Sequence, residues 1–168
     1  MSDKQTFSRT SGSLADPMAP PLPETSDERM QWGQLYGLGG PLAIASAARQ
    51  FAGILLVAAD DMQSASELER GLRFFIGDPG IPVFSLPDWE TLPYDVFSPL
   101  PELVSQRLLT LYRLPTLKKG VLVAPVSTLL QRLPPAEYLA ANAFLMAPGD
   151  ALSLDVMRQR LEQAGYHC

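Results

Sequence analysis

The strongest indication of the fold is the stretch Gly53-Ile54-Leu55-Leu56-Val57-Ala58-Ala59, in which six apolar residues follow a glycine without a polar interruption. A second stretch of the same kind, Gly120-Val121-Leu122-Val123-Ala124, lies further along the chain. A short continuous apolar run is typical of a strand that is buried on both faces of a parallel sheet. Both stretches are therefore predicted to be strands of that kind.

Helical patterns alternate with these runs. After a capping aspartate at 60 or 61, apolar residues recur every three or four positions from Met62 to Phe75, which is the spacing of one helix face. Such alternation predicts an α/β layer with a mostly parallel sheet and right-handed crossovers. The predicted elements are helices at 41–51, 62–75, 101–114, 127–133 and 153–165, and strands at 54–59, 81–86, 120–124 and 143–146.

The chain of 168 residues divides into three predicted parts. Residues 1–30 are polar and rich in proline, so we expect a disordered tail, with a partner-binding segment at Pro20–Pro23 as the alternative. Residues 31–142 carry the alternating pattern of the α/β domain. The strand and helix within 143–168 follow a proline break and are predicted to begin a second domain. A single strand–helix unit has no other element to pack against. We therefore expect a truncated chain with an unpaired strand edge at 143–146.

Composition argues against several classes of protein. Hydrophobic residues make up 46% of the chain and charged residues 18%, which favours a packed core. The net charge of −5 excludes a generically basic nucleic-acid binder. A single cysteine and a single histidine, at 168 and 167, argue against a disulfide framework or a zinc site. No apolar run approaches the roughly 20 residues of a membrane-spanning helix, and no signal peptide is visible, so a cytoplasmic location is expected.

A nucleotide-binding loop is the first chemistry to test in an α/β chain with early glycines. The phosphate-loop motif needs Gly-x-x-x-x-Gly-Lys-Ser/Thr, in which the lysine reaches the outer phosphates and the hydroxyl holds magnesium. The corresponding place reads Gly37-Leu38-Gly39-Gly40-Pro41-Leu42, without a lysine, and Pro41 removes one amide donor. No dinucleotide-binding glycine pattern follows a strand either. We therefore predict that this chain binds no ATP and has no cofactor or metal of its own.

The proline-rich stretch 87–101 holds most of the candidate interaction residues. Its acids could act in acid–base chemistry, but hydrogen-bonding or surface roles are the favoured interpretation. Its aromatic side chains could stack on nucleic-acid bases, although aromatic residues more often cover a core. The candidates from this stretch are Trp89, Glu90, Tyr94, Asp95 and Phe97.

Charge is distributed unevenly along the chain. Residues 60–102 contain nine acidic and two basic side chains, whereas residues 103–132 contain five basic side chains and no acidic one. An ordinary solvated surface is the favoured interpretation. The alternative is a basic face for phosphate or a protein partner, which would make the chain a weak DNA-binding module with Arg107 and Arg132 as candidate residues.

The run Asp88-Trp89-Glu90-Thr91-Leu92-Pro93-Tyr94-Asp95-Val96-Phe97-Ser98-Pro99 resembles a signature of the bacterial transcription-repair coupling factors. The resemblance extends over residues 32–168. It continues through Ser105-Gln106-Arg107-Leu108, Thr110-Leu111-Tyr112, Gly120-Val121-Leu122, Gln131-Arg132-Leu133-Pro134 and Ala164-Gly165-Tyr166.

The resemblance implies part of a large ATP-driven DNA translocase that couples stalled RNA polymerase to nucleotide excision repair. It implies a degenerate helicase-like α/β domain, similar to excinuclease component B, followed by the start of an insert domain at 143–168. Such a region supports recruitment of excinuclease component A and packs against other domains of the same factor, while ATP and magnesium belong to a downstream motor. The stretch after Tyr94 leaves no room for the long aromatic hairpin of excinuclease component B, which argues against damage probing by these aromatic residues. The resemblance places the family's contact residues for excinuclease component A beyond residue 168, so no functional residue is carried over from the family.

Overall fold

The computed structural model of the chain describes residues 16–77, 80–91, 98–142, 149 and 151–163. Three parallel strands form one sheet: β1 (Ile54–Ala59), β2 (Val83–Ser85) and β3 (Gly120–Pro125). Their order is β1-β3-β2, so the strand that comes last along the chain lies in the middle. Ile54 is the partner of Gly120 and Val83 that of Val121. The prediction of an α/β chain with a parallel sheet is confirmed.

The described part of the chain also contains six helices and one short 3-10 helix. Asp61 begins the second helix, because its carboxylate accepts a hydrogen bond from the Ser64 amide at 2.7 Å. Gly77 ends it in the left-handed conformation at φ +55°. The helices are α1 (Gly39–Gln50), α2 (Met62–Ile76), α3 (Pro101–Arg113), α4 (Val126–Leu129), α5 (Ala136–Asn142) and α6 (Leu154–Gln163), with the 3-10 helix at Leu114–Thr116.

Two apolar clusters cover the two faces of the sheet. On what we call the α1/α2 face, Val121 and Val123 of β3 pack with Leu72 of α2 in the larger cluster. On the α3/α5 face, Leu122 packs with Leu111 of α3 in the smaller one. Side chains alternate between faces along a strand, so β3, with both faces covered, is buried throughout.

The structure corrects the expectation that the 54–59 run is buried on both faces. Leu56 of β1 is 56% exposed, and Ala58 is exposed beside it. The reason is position: β1 lies at the edge of the sheet. Helix α3 packs against β2 and, through Leu111, against β3, so the α3/α5 face of β1 lacks a full layer of helix.

Other boundaries differ locally from those expected. The second strand was predicted at 81–86 but is confined to Val83–Ser85, after Pro82. The sequence did not predict α5, which begins after Pro135 and buries Leu139 on the α3/α5 face. The predicted strand at 143–146 lies outside the described residues. No helix or strand occurs in residues 16–30, and the indole nitrogen of Trp32 donates to the Pro21 carbonyl there.

Candidate interaction site at the carboxyl end of the sheet

The chain that leaves β2 forms the centre of the site. The Leu86 amide donates to the Val123 carbonyl at 2.9 Å, which keeps this segment beside β3 for one more residue. Asp88 then contacts Met62 and Gln131, which follow the carboxyl ends of β1 and β3, where open α/β sheets commonly hold their functional groups. Thr110 of α3 is buried and donates to the Ser85 carbonyl at 2.8 Å. This bond fixes α3 against the strand that leads into the site.

Arg107 of α3 points into the site and is only 2% exposed. Its Nη1 donates to the Pro87 carbonyl, and its Nη2 donates to Oε1 of Gln131 at 3.1 Å. The Cζ atom lies 4.2 Å from the centre of the Trp89 ring, which is cation–π geometry. The Nε atom has no hydrogen-bond partner among the described residues. One buried guanidinium therefore joins α3, the 87–91 segment and the chain after α4.

Gln131 links this arginine to an acid. Its Nε2 donates to Oδ1 of Asp88 at 2.5 Å, while its Oε1 accepts from Arg107. The same Asp88 oxygen accepts from the Trp89 amide at 2.7 Å. The amide side chain thus connects a cation and an anion that belong to different elements. We call Asp88, Trp89, Arg107 and Gln131 the buried network, after Arg107, its one buried member; the other three are half-buried.

The charges of the network perturb each other. Partial burial by itself acts to raise the pKa of Asp88, but hydrogen bonds from Ser127, Gln131 and the Trp89 amide, together with the charge of Arg107, hold that pKa below its usual value. Burial lowers the pKa of Arg107, and Asp88 opposes that shift. A guanidinium remains charged under these conditions, so the network contains an anion and a cation at neutral pH.

Glu90 follows the network and faces solvent. Its φ of +57° lies in the left-handed region, which is uncommon for a residue with a side chain. The amide of Asp88 contacts the sulfur of Met62 in α2 at 3.2 Å, so α2 bounds the segment on the other side. Backbone strain of this kind persists only where the surroundings fix it. Here the preceding residue, Trp89, is held by its contact with Arg107.

The structure brings some predicted candidate residues together and separates others. Trp89 and Arg107 meet, Glu90 is exposed next to them, and Arg132 is exposed after α4. Tyr94, Asp95 and Phe97 lie outside the described residues. Gln131 was not singled out as a candidate, because nothing in a sequence pairs it with an acid 43 positions away.

Burial changes the interpretation of the basic stretch 103–132. Arg107 lies inside the site, so it is unavailable to a phosphate on the surface. Arg113 and Lys118 are exposed at the other end of the sheet, before β3 begins. Five basic residues that are consecutive in the charge pattern therefore do not form one continuous face.

The glycine-rich segment 37–42 leads into the first turn of α1, which packs against α2. A Cβ atom on Gly71 of α2 would lie 2.7 Å from Cβ of Pro41, so the first turn of α1 rests directly on α2.

Within the parts of the chain that the structure covers, no three His, Cys, Asp or Glu side chains are grouped to hold a metal ion. No helix of this portion is long and apolar enough to cross a membrane.

Comparison with known proteins gives a consistent result. No family model matches the chain. A curated Escherichia coli K12 protein named transcription-repair-coupling factor is 42% identical over 145 residues, which are 86% of this chain. A Haemophilus influenzae protein of the same name is 40% identical over 88% of the chain.

The chain belongs to the family of transcription-repair coupling factors. A transcription-repair-coupling factor of Mycobacterium tuberculosis is also similar, at 36% identity over 74% of the chain. The chain spans only 12% and 13% of the Escherichia coli and Haemophilus influenzae factors. The family resemblance drawn from the 88–99 signature is thus confirmed, and part of that signature is the segment held by the buried network.

Proposed function

We propose that this chain acts in transcription-coupled nucleotide excision repair as a non-hydrolysing scaffold that supports recruitment of excinuclease component A. The observation that carries the proposal is the family match together with the position of the signature. Gln131 donates to Asp88, and Arg107 lies against the Trp89 ring and donates to Gln131. Glu90, the next residue, is exposed. A segment fixed in this way loses little conformational entropy when a partner binds, which favours a scaffolding role.

We further propose that the domain is a degenerate helicase-like one. The parallel sheet with helices on both faces is consistent with that layering. Because the 37–42 segment contains no lysine, the domain is expected to hold no nucleotide, and ATP and magnesium would be bound by a motor elsewhere in the family-length factor. RNA polymerase and DNA would be partners of that whole factor. Calorimetric titration with magnesium-ATP tests this part, and micromolar binding by the chain would contradict it.

A chimeric factor tests the scaffold role. The stretch of the Escherichia coli factor that matches this chain is replaced by the chain, and binding of excinuclease component A is measured together with ATP hydrolysis. We expect the chimera to bind this excinuclease component. We expect Arg107→Ala in the chimera to weaken that binding while ATP hydrolysis by the distant motor persists.

The matched control is Arg113→Ala, which removes an exposed arginine from the same helix. This variant is expected to bind excinuclease component A as the parent chimera does. Normal recruitment by the Arg107→Ala chimera, or no recruitment by the parent chimera with its motor active, would reject the scaffold role.

A further inference from the structure

A proline-rich segment that precedes the domain contacts a tryptophan further along the chain. The indole Nε1 of Trp32 donates to the carbonyl of Pro21 at 3.0 Å, although the two residues are 11 positions apart. Pro20 is buried and Leu22 is half-buried, so two apolar side chains of this segment are withdrawn from solvent. We call residues 20–23 the strap, because they lie back against a residue that the chain reaches only later.

Two local turns lie on either side of the strap. Before it, the Ala19 amide donates to the Asp16 carbonyl at 3.0 Å, and the Met18 amide donates to the Asp16 side chain at 2.9 Å. After it, the Glu24 amide donates to a carboxylate oxygen of Glu28 at 2.7 Å. The second turn lies between the strap and the tryptophan, where the chain has to reverse direction for the two to meet.

The sequence of the strap restricts its backbone before any contact forms. Proline holds φ at about −65°, and a residue that precedes a proline is restricted to extended conformations. Ala19, Pro20 and Leu22 each precede a proline. The strap is therefore extended in the free chain as well, and it loses little conformational entropy when it docks.

The strap and the tryptophan are chemically complementary. Three of the four strap residues are prolines, which lack an N–H, so the strap offers mainly carbonyl acceptors. An indole offers the reverse, a single N–H donor on an apolar ring. Aromatic surfaces that bind proline-rich segments use this combination. The short connection through residues 24–31 gives an effective concentration on the order of millimolar, so even a weak contact keeps the strap docked.

We propose that Trp32 is the centre of a recognition site for proline-rich segments and that the strap occupies this site in cis. A segment of the same chemistry supplied in trans takes the place of the strap. While the strap is docked, neither the tryptophan nor the strap is available to a partner, and release of the strap frees both. The site lies within residues 16–32, so it includes no member of the buried network and does not depend on the scaffold role.

Two-dimensional NMR of the indole N–H groups tests the docking on the whole chain, and Trp32→Phe assigns the signals. We expect Pro20→Asp to shift the Trp32 signal and to speed its hydrogen exchange about tenfold or more, because a charge at a buried position releases the strap. Pro23→Asp is the matched control, because Pro23 is exposed, and it should leave the signal unchanged. An unshifted signal in Pro20→Asp, or an equal shift in both variants, overturns the proposal.

A peptide added in trans distinguishes recognition from local packing. The probe is Ala-Pro-Pro-Leu-Pro with blocked ends, and the control peptide has glycine in place of each proline. At up to about 10 mM, the probe should return the Trp32 signal of Pro20→Asp toward its position in the parent chain, and the control peptide should not. Leu22→Asp serves in the same experiment if circular dichroism shows that Pro20→Asp has lost its helices. A signal that the probe leaves in place, or that both peptides return, overturns the proposal.

Discussion

The guanidinium carbon of Arg107 lies 4.2 Å from the centre of the Trp89 ring, inside a site where the arginine is 2% exposed. This contact joins the signature at 88–99 to Arg107, which belongs to the further matching stretch at 105–108 in the middle of α3. The same arginine reaches the Pro87 carbonyl and Gln131. The signature is therefore at least in part a packing motif.

Replacement of Arg107 by alanine is expected to lower the free energy of unfolding by about 3 kcal/mol. The variant leaves the buried Pro87 carbonyl and Gln131 Oε1 without their charged donor, and the loss of hydrogen bonds from a charged group to such acceptors is costly. Urea unfolding followed by circular dichroism measures the effect. Arg113→Ala, on the exposed side of the same helix, should change stability by less than about 0.5 kcal/mol. Equal losses in the two variants would show that the network has no special energetic role.

Acid should destabilise the chain partly through Asp88. The pKa of Asp88 is held below its usual value, so the stabilisation is fully present above the ordinary carboxyl value of about 3.9 and is lost as pH falls through the lower folded pKa. Asp88→Asn removes this titration. We expect the free energy of unfolding of the parent chain to fall more steeply below about pH 4 than that of Asp88→Asn. Parallel pH curves would contradict the assignment.

Tryptophan emission should report on the site directly. The chain has two tryptophans, Trp32 and Trp89, so Trp32→Phe leaves Trp89 as the sole emitter. In this background we expect Arg107→Lys to shift the emission to longer wavelength, because a lysine cannot lie flat on the ring while it also bonds to Pro87 and Gln131. An unchanged spectrum would show that the ring does not depend on the guanidinium.

Gly77 and Gly40 offer a matched pair of glycine substitutions. Gly77 ends α2 at φ +55°, and alanine there should cost about 1 kcal/mol because its Cβ disfavours that conformation. Gly40 lies within the first turn of α1, and a Cβ there would meet nothing within 4 Å. Alanine at 40 should therefore leave stability unchanged or raise it by up to about 1 kcal/mol. Thermal unfolding of the two variants distinguishes these effects, and a stabilising Gly77→Ala would contradict the cap.

Binding of duplex DNA by the basic stretch stays a prediction of the alternative function. With Arg107 buried, the exposed members include Lys118 and Arg132, which follow different elements. We expect any binding to be weak and to fall steeply with salt. Fluorescence anisotropy at low salt measures it. Tight binding that survives removal of both side chains would place the DNA surface elsewhere.

The sequence predicted the strands and long helices because their signals are local. The apolar runs at 54–59 and 120–124, the Asp61 cap and Pro101 at the start of α3 each act within a few residues. It did not predict that Leu56 would be exposed, because the exposure of a strand depends on its place in the sheet. The network was missed for a similar reason. Asp88, Arg107 and Gln131 meet only through tertiary packing, and Arg107 was interpreted as a surface charge.

The strand order also bears on how the chain acquires its structure during synthesis. Strands β1 and β2 do not pair with each other, and both pair with β3, which is made last. Until residue 125 has left the ribosome, the first two strands have no partner, and their apolar side chains have no sheet to cover. Contacts over such sequence separations form slowly. During the interval between emergence of β1 and that of β3, the unpaired strands are therefore exposed to aggregation.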